Sequence, residues 1–86
     1  MTIDEKVDAF VDKLPNDVDG MLYIILYDKV DIAQDLILRI QQKKGNDYCR
    51  KLVFTNTMPR EEIRQLNSTN IYIFDEFYNY QGNGYN

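Results

Sequence analysis

Residues 21–31 read Met-Leu-Tyr-Ile-Ile-Leu-Tyr-Asp-Lys-Val-Asp, and the architecture follows from them. The apolar part, residues 21–27, is continuous rather than alternating, which is typical of a central strand covered on both faces. A helical pattern follows directly. Its apolar residues share one face: Ile32, Ala33, Leu36, Ile37 and Ile40. The end of such a strand commonly holds ligands in α/β proteins, yet this turn has no glycine-rich loop, histidine, serine or cysteine.

The sequence also carries signals for the two ends of that helix. Asp28 or Asp31 is expected to cap its start, where a carboxylate accepts amide hydrogens and suits the positive end of the helix dipole. Gly45 is expected to end it, because glycine readily takes the left-handed conformation that follows a helix.

A second helix precedes the strand. Thr2-Ile3-Asp4-Glu5 has the form of a capping box and predicts a helix over 3–14, which Pro15 ends because it disfavours helical geometry at the residue before it. The 86 residues are expected to form one small domain over 1–86. Its predicted parts are an N-terminal helix (1–14), an α/β core (21–80) and a loose tail (81–86).

Two further strands are predicted downstream, at 51–55 and 71–74. A short helix with Pro59 in its first turn joins them. Residues 77–80 are a candidate return strand that would complete a hairpin. The alternation of helices and strands predicts an α/β fold with a small sheet of three to four strands, at least one parallel pair, and two to three helices.

Charge is unevenly distributed along the chain. The net charge is −4, which argues against general binding to nucleic acid. Residues 1–35 carry nine acids and three bases, whereas residues 36–64 carry three acids and seven bases. The bases around the end of the central helix form a candidate interaction cluster: Arg39, Lys43, Lys44, Arg50 and Lys51. They are expected either to grip an acidic partner or phosphate, or to form a solvated rim.

Cys49 is the single cysteine, so the chain has no internal disulfide and no thiolate metal cage. It is expected to be a small apolar filler, which suits a reducing compartment. No apolar stretch reaches membrane-spanning length, and the acidic N-terminus does not resemble a signal peptide. Frequent Tyr, Ile and Asn fit a low-GC genome such as that of a virus or phage. The expected location is intracellular, in a reducing compartment, or within a virus particle.

Common catalytic and metal-binding motifs are incomplete. The chain has no histidine, which excludes the usual hydrolytic triads. Residues 71–76 resemble a Walker B strand, but no phosphate-binding loop accompanies them. Asp17-x-Asp19-Gly20 resembles part of a calcium loop, but the position of the bidentate Glu holds Leu26. We therefore expect no catalytic residues, no cofactor and no metal.

The C-terminal part is rich in aromatic residues: Phe77, Tyr78, Tyr80 and Tyr85. Tyrosine covers a large apolar area and keeps a polar tip, so such segments suit interfaces. Packing of a hairpin against the core is the alternative for Tyr78 and Tyr80. For Tyr85 an interface role or disorder is expected.

From residue 21 to residue 80 the order of elements resembles the thioredoxin and glutaredoxin layout. In that family Cys-x-x-Cys opens the first helix, whereas this chain has Lys29-Val30-Asp31-Ile32, and Thr69-Asn70 stands where the family places a cis-proline. The resemblance therefore implies a thioredoxin-like fold without redox activity.

These patterns predict a non-enzymatic module that binds another protein or itself, such as a structural viral component. One alternative is a redox-inactive thioredoxin-like or nucleotide-binding domain. A further alternative is an acidic mimic of nucleic acid. Its carboxylates would be Asp4, Asp8, Asp12, Asp17 and Asp19.

Overall fold

The computed structural model describes residues 2–66 and 69–74. These residues form an α/β fold, which confirms the predicted class. The elements, in chain order, are α1 (Ile3–Lys13), β1 (Leu22–Tyr27), α2 (Val30–Lys44), α3 (Asn46–Arg50), β2 (Leu52–Thr55), α4 (Glu61–Arg64) and β3 (Thr69–Phe74). The predicted return strand at 77–80 and the tail at 81–86 lie outside the described residues.

The described strands form a parallel sheet in the order β2-β1-β3. The apolar run is the middle strand, as predicted, and Ile24 lies opposite both Val53 and Ile71. The four residues from Tyr23 to Leu26 are all buried, because each face of a middle strand is covered.

The main core lies on the face of the sheet that α1 and α2 cover. Ile25 of β1 points into it and is fully buried. Val11 of α1 and Leu36 of α2 are also fully buried there. The ring of Phe10 meets that of Phe74 edge to face, with centroids 5.4 Å apart. One apolar stripe from each helix thus closes over a single sheet face.

The N-terminal capping box is present as predicted. The Thr2 hydroxyl accepts from the Glu5 amide at 3.2 Å, and the Glu5 carboxylate accepts from the Thr2 amide at 3.0 Å. The bond from the Thr2 amide, and then one that the Thr2 hydroxyl donates to the same carboxylate at 3.0 Å, favour the charged form and lower the pKa of Glu5. The helix ends at Lys13, one residue before the predicted end, because Leu14 precedes Pro15 and is already extended.

The predicted N-terminal cap of α2 is wrong. Lys29, with extended backbone, stands at the N-cap position, and no side chain there accepts an amide hydrogen. Asp28 precedes that position, whereas Asp31 lies inside the first turn, where its carboxylate only faces the positive end of the dipole. Gly45 ends α2 as predicted, with φ of 96° and its amide donating to the Gln41 carbonyl at 3.1 Å.

Two short helices differ from the sequence-based expectation. Helix α3 was not predicted; it begins directly after Gly45 and places Tyr48 and Cys49 in the core. Helix α4 begins at Glu61 with Arg60 at its N-cap, so Pro59 lies before the helix rather than in its first turn.

Candidate functional site

Two of the five predicted interaction bases face acidic residues of α1. The guanidinium of Arg39 donates to Asp8 and lies 3.5 Å from the carboxylate of Asp4. The ammonium of Lys43 lies 3.2 Å from Asp8 and 2.9 Å from Asp12. The hydrogen bonds from Arg39 and then Lys43 lower the pKa of Asp8. These five residues form a charge ladder that joins the two helices.

The spacing explains why the ladder forms. Asp4, Asp8 and Asp12 are four residues apart and share one face of α1, as Arg39 and Lys43 do on α2. Because α1 and α2 pack side by side, the acidic half and the basic half of the chain meet each other. Many of the unevenly distributed charges therefore form ion pairs within the fold.

Lys44 and Lys51 also contact residues of the chain itself. The ammonium of Lys44 lies 3.4 Å from the Leu14 carbonyl and 5.6 Å from the centre of the Tyr48 ring. Lys51 donates to Asp19 and lowers the pKa of that carboxyl. Asp19 in turn donates its amide to the side chain of Asp17 at 2.9 Å, a local hydrogen bond that is typical of a turn.

Arg50 is the member of the predicted cluster that the fold leaves most accessible. Its side chain is 76% exposed, and its guanidinium lies 3.7 Å from Asp47, which is itself 91% exposed. A loose, solvated pair of this kind holds neither side chain firmly. The structure thus separates the five bases, and Arg50 is the one whose side chain stays most accessible.

Reversing the charge of Asp8 is expected to lower the thermal midpoint at low salt. Asp8→Lys would place a third cation against Arg39 and Lys43, and salt would screen the repulsion because the ladder is partly exposed. Asp47→Lys, the same change at an exposed position, is the control and should shift the midpoint much less. Thermal unfolding followed by circular dichroism measures both. Equal shifts would show that the ladder does not stabilise the fold.

Acidification should remove the same stabilisation. The folded pKa of Asp8 and of Asp19 lies below the unfolded value of about 3.9. Their contribution to stability is therefore present above that pH and is lost as the pH falls through the folded pKa. We expect the thermal midpoint to decrease as the pH is lowered below about 4. The decrease should be less steep in Asp8→Asn. Parallel curves for the two proteins would contradict the role of Asp8.

A groove of about 410 Å³ lies between α2, α3 and β2. Leu52 and Cys49 are buried in it, and Ile37 and Phe54 are half-buried. Polar residues that stand exposed complete its lining: Gln41, Asn46 and Arg50. The groove therefore has an apolar floor and a polar rim, which is the usual composition of a site for apolar side chains.

The groove opens beside the edge of the sheet. In the described part of the chain, β2 pairs with β1 on one side and with no strand on the other. Such an edge presents backbone N–H and C=O groups to any extended segment that approaches. Backbone pairing and apolar side-chain contacts are therefore offered at the same place.

Cys49 does not give the groove reactive chemistry. Its thiol is buried, as predicted for a filler, and burial raises its pKa. A thiol with a raised pKa is mostly protonated near neutral pH and is a weak nucleophile. The neighbouring Tyr48 donates its hydroxyl to the Pro15 carbonyl, and burial raises its pKa to about 12. Neither group is prepared for acid–base or nucleophilic work.

The carboxyl end of the sheet is the place where α/β proteins commonly hold ligands. Asp28 follows β1 and is half-buried, whereas Asp75 and Glu76 lie outside the described residues. Within residues 2–66 and 69–74, no three His, Cys, Asp or Glu side chains come together in a way that suits a metal ion. Over the same ranges, no helix combines the length and apolar character needed to cross a membrane.

The aromatic interaction candidates belong to the C-terminal part of the chain. Phe77, Tyr78, Tyr80 and Tyr85 all lie outside the described residues.

Comparisons with protein families, curated proteins and solved structures found no match to this chain. The resemblance to the thioredoxin layout stays a prediction, and the interpretation of the groove depends on the chemistry of its own residues.

Sequence reasoning missed most of the groove. Ile37 belongs to the apolar face predicted for this helix, whereas Gln41, one helical turn later on α2, carries no signal of its own. Asn46 lies on α3, which was not predicted. Only Arg50 belonged to the predicted interaction residues, and its charge was the signal that found it.

Proposed function

We propose that this chain is a non-enzymatic module that binds another protein through β2 and the groove beside it. The observation that carries the proposal is that β2, which has no partner strand on its outer side within residues 2–66 and 69–74, lies beside a groove with an apolar floor. Extended segments commonly bind proteins by adding a strand at such an edge, and pockets for alternate side chains give specificity. We propose that this binding serves a structural or regulatory role, either in a virus particle or in a reducing compartment.

The reactive side chains outside the groove's rim favour a binding function over catalysis. The chain has no histidine, its one thiol is buried, and Asp8 and Asp19 are held in ion pairs. Ion pairs also favour protein binding over mimicry of nucleic acid. Such a mimic needs carboxylates that are free to face a basic protein. The carboxylates of Asp4, Asp12 and Asp19 instead already face basic side chains of this chain: Arg39, Lys43 and Lys51.

Affinity capture with matched variants tests the proposal. Gln41→Trp places a large ring at the groove, and Gln42→Trp makes the same change at the adjacent exposed residue outside the groove lining. A host protein captured by the parent chain and by Gln42→Trp, but not by Gln41→Trp, would support binding at this surface. Equal capture by both variants would contradict it.

The nucleotide-binding alternative needs its own measurement. Thermal shift with ATP and GTP, with and without magnesium, is expected to leave the unfolding midpoint unchanged. A midpoint that rises with nucleotide concentration would favour the alternative, because a ligand that binds the folded state stabilises it by mass action.

A further inference from the structure

We infer that the groove beside β2 takes an extended segment of a different protein, with apolar residues at alternate positions and a carboxylate at the end that meets Arg50. This inference rests on the proposed function and specifies the chemistry of the partner. It is carried by the order of residues along the groove: Arg50 ends α3 two residues before β2 begins, and the apolar side chains of Leu52 and Phe54 follow.

The alternation follows from strand geometry. Side chains of a strand point alternately to the two faces of its sheet. Leu52 and Phe54 are two residues apart and line the same groove. A segment paired with β2 would therefore place every second side chain over the floor that they form with Ile37. Apolar residues at those positions would cover a surface that is half-buried at Ile37 and Phe54.

The carboxylate follows from the charges at the rim. Arg50 lies at the end of the groove where β2 begins, and its bond to Asp47 is long and solvated. An acidic residue on the partner would take the place of Asp47 beside Arg50 and would cover this end of the groove. Lys51 contributes less at this end because Asp19 already holds it.

A second copy of this chain fits the rim poorly. Two β2 strands related by a two-fold axis would pair antiparallel, and the residue opposite Arg50 would depend on the register. For axes at or between Val53 and Phe54, that residue is Asn56, Thr57 or Met58, none of which is acidic. In these registers, antiparallel self-pairing of β2 brings no acidic residue opposite Arg50, whereas a different protein can supply one.

Selection from a displayed library of short random peptides tests the inference. Peptides that bind the parent chain and Gln42→Trp are kept, and those that also bind Gln41→Trp are discarded. The expected survivors alternate apolar and polar residues and carry Asp or Glu at one end. Survivors without alternation, or an empty selection, would overturn the inference, while capture of a folded host protein would still decide the proposed function separately.

Charge exchange then tests the role of Arg50. Arg50→Glu is expected to weaken binding of a selected acidic peptide about 2- to 30-fold, since an exposed attraction becomes a repulsion of similar size. Replacing the peptide acid by Lys should weaken binding to the parent chain and restore it to Arg50→Glu. Arg60→Glu is the matched control, because Arg60 is 83% exposed, lies 3.7 Å from Glu62, and does not line the groove.

The remaining outcomes are also decisive. Equal affinity of acidic and lysine-bearing peptides for the parent chain would overturn the assignment of the carboxylate and leave strand binding standing. A further outcome is a dimer in sedimentation that is lost in Gln41→Trp and retained in Gln42→Trp. That result would identify a second copy of this chain, rather than a different protein, as the occupant of the groove. Thermal unfolding of every variant verifies that a loss of binding is not a loss of fold.

Discussion

Leu36→Ala is expected to lower the free energy of unfolding by about 2–5 kcal/mol, because it leaves a cavity where α2 packs on the sheet. Leu36 is fully buried among the core residues of α1 and β1. Domains of ordinary stability unfold at a cost of about 5–15 kcal/mol, and a chain this short can bury only a modest core. The loss is therefore a large share of the whole stability.

Equilibrium unfolding in urea, followed by circular dichroism, measures the effect. Leu38→Ala is the matched control, since Leu38 lies on the same helix with 56% of its surface exposed. The control should change the free energy of unfolding by less than about 0.5 kcal/mol. Similar losses at the two positions would mean that α2 does not present this face to the core.

Gly45→Ala is expected to cost about 1–3 kcal/mol through backbone strain. Gly45 has φ of 96° and ψ of 161°, a conformation that is essentially restricted to glycine. No atom lies within 4 Å of an added Cβ, so a steric clash does not explain the loss. The smaller entropy of the unfolded alanine chain acts in the opposite direction and offsets only part of the strain.

The same urea experiment measures this variant. Gln42→Ala, at an exposed position of α2, is the control and should be close to neutral. Because Gly45 both ends α2 and precedes α3, the strained variant should also loosen Tyr48 and Cys49. Faster alkylation of Cys49 in native conditions would report this loosening. A Gly45→Ala protein as stable as its parent would contradict the backbone geometry.

The main elements of the fold could be predicted because their signals are local. The unbroken apolar run 21–27 indicated a middle strand, and the alternation of elements indicated parallel pairing. The capping box at Thr2 and Glu5 depends on residues three apart, and both of its hydrogen bonds are present. Patterns of this length need no knowledge of which elements meet.

The missed features depend on contacts between distant segments or on one residue of offset. Asp28 has the chemistry of a cap, but the backbone bends into the helix one residue later. Helix α3 has only five residues, too few for a periodic signal. Arg39 and Lys43 were interpreted as candidates for a partner because nothing in the local sequence states that they face Asp4, Asp8 and Asp12.

The parallel order β2-β1-β3 also bears on how the chain leaves the ribosome. Each partner of the middle strand is separated from it by a crossover, so no described strand pair can form as a hairpin. The apolar residues of β1 emerge first and have no strand to pair with until β2 is synthesised, and a second only when β3 follows. Helix α1, already made, shares one hydrophobic core with Tyr23 and Ile25 of β1 in the finished fold. During synthesis it is the described element in position to shield that strand from the contacts that lead to aggregation.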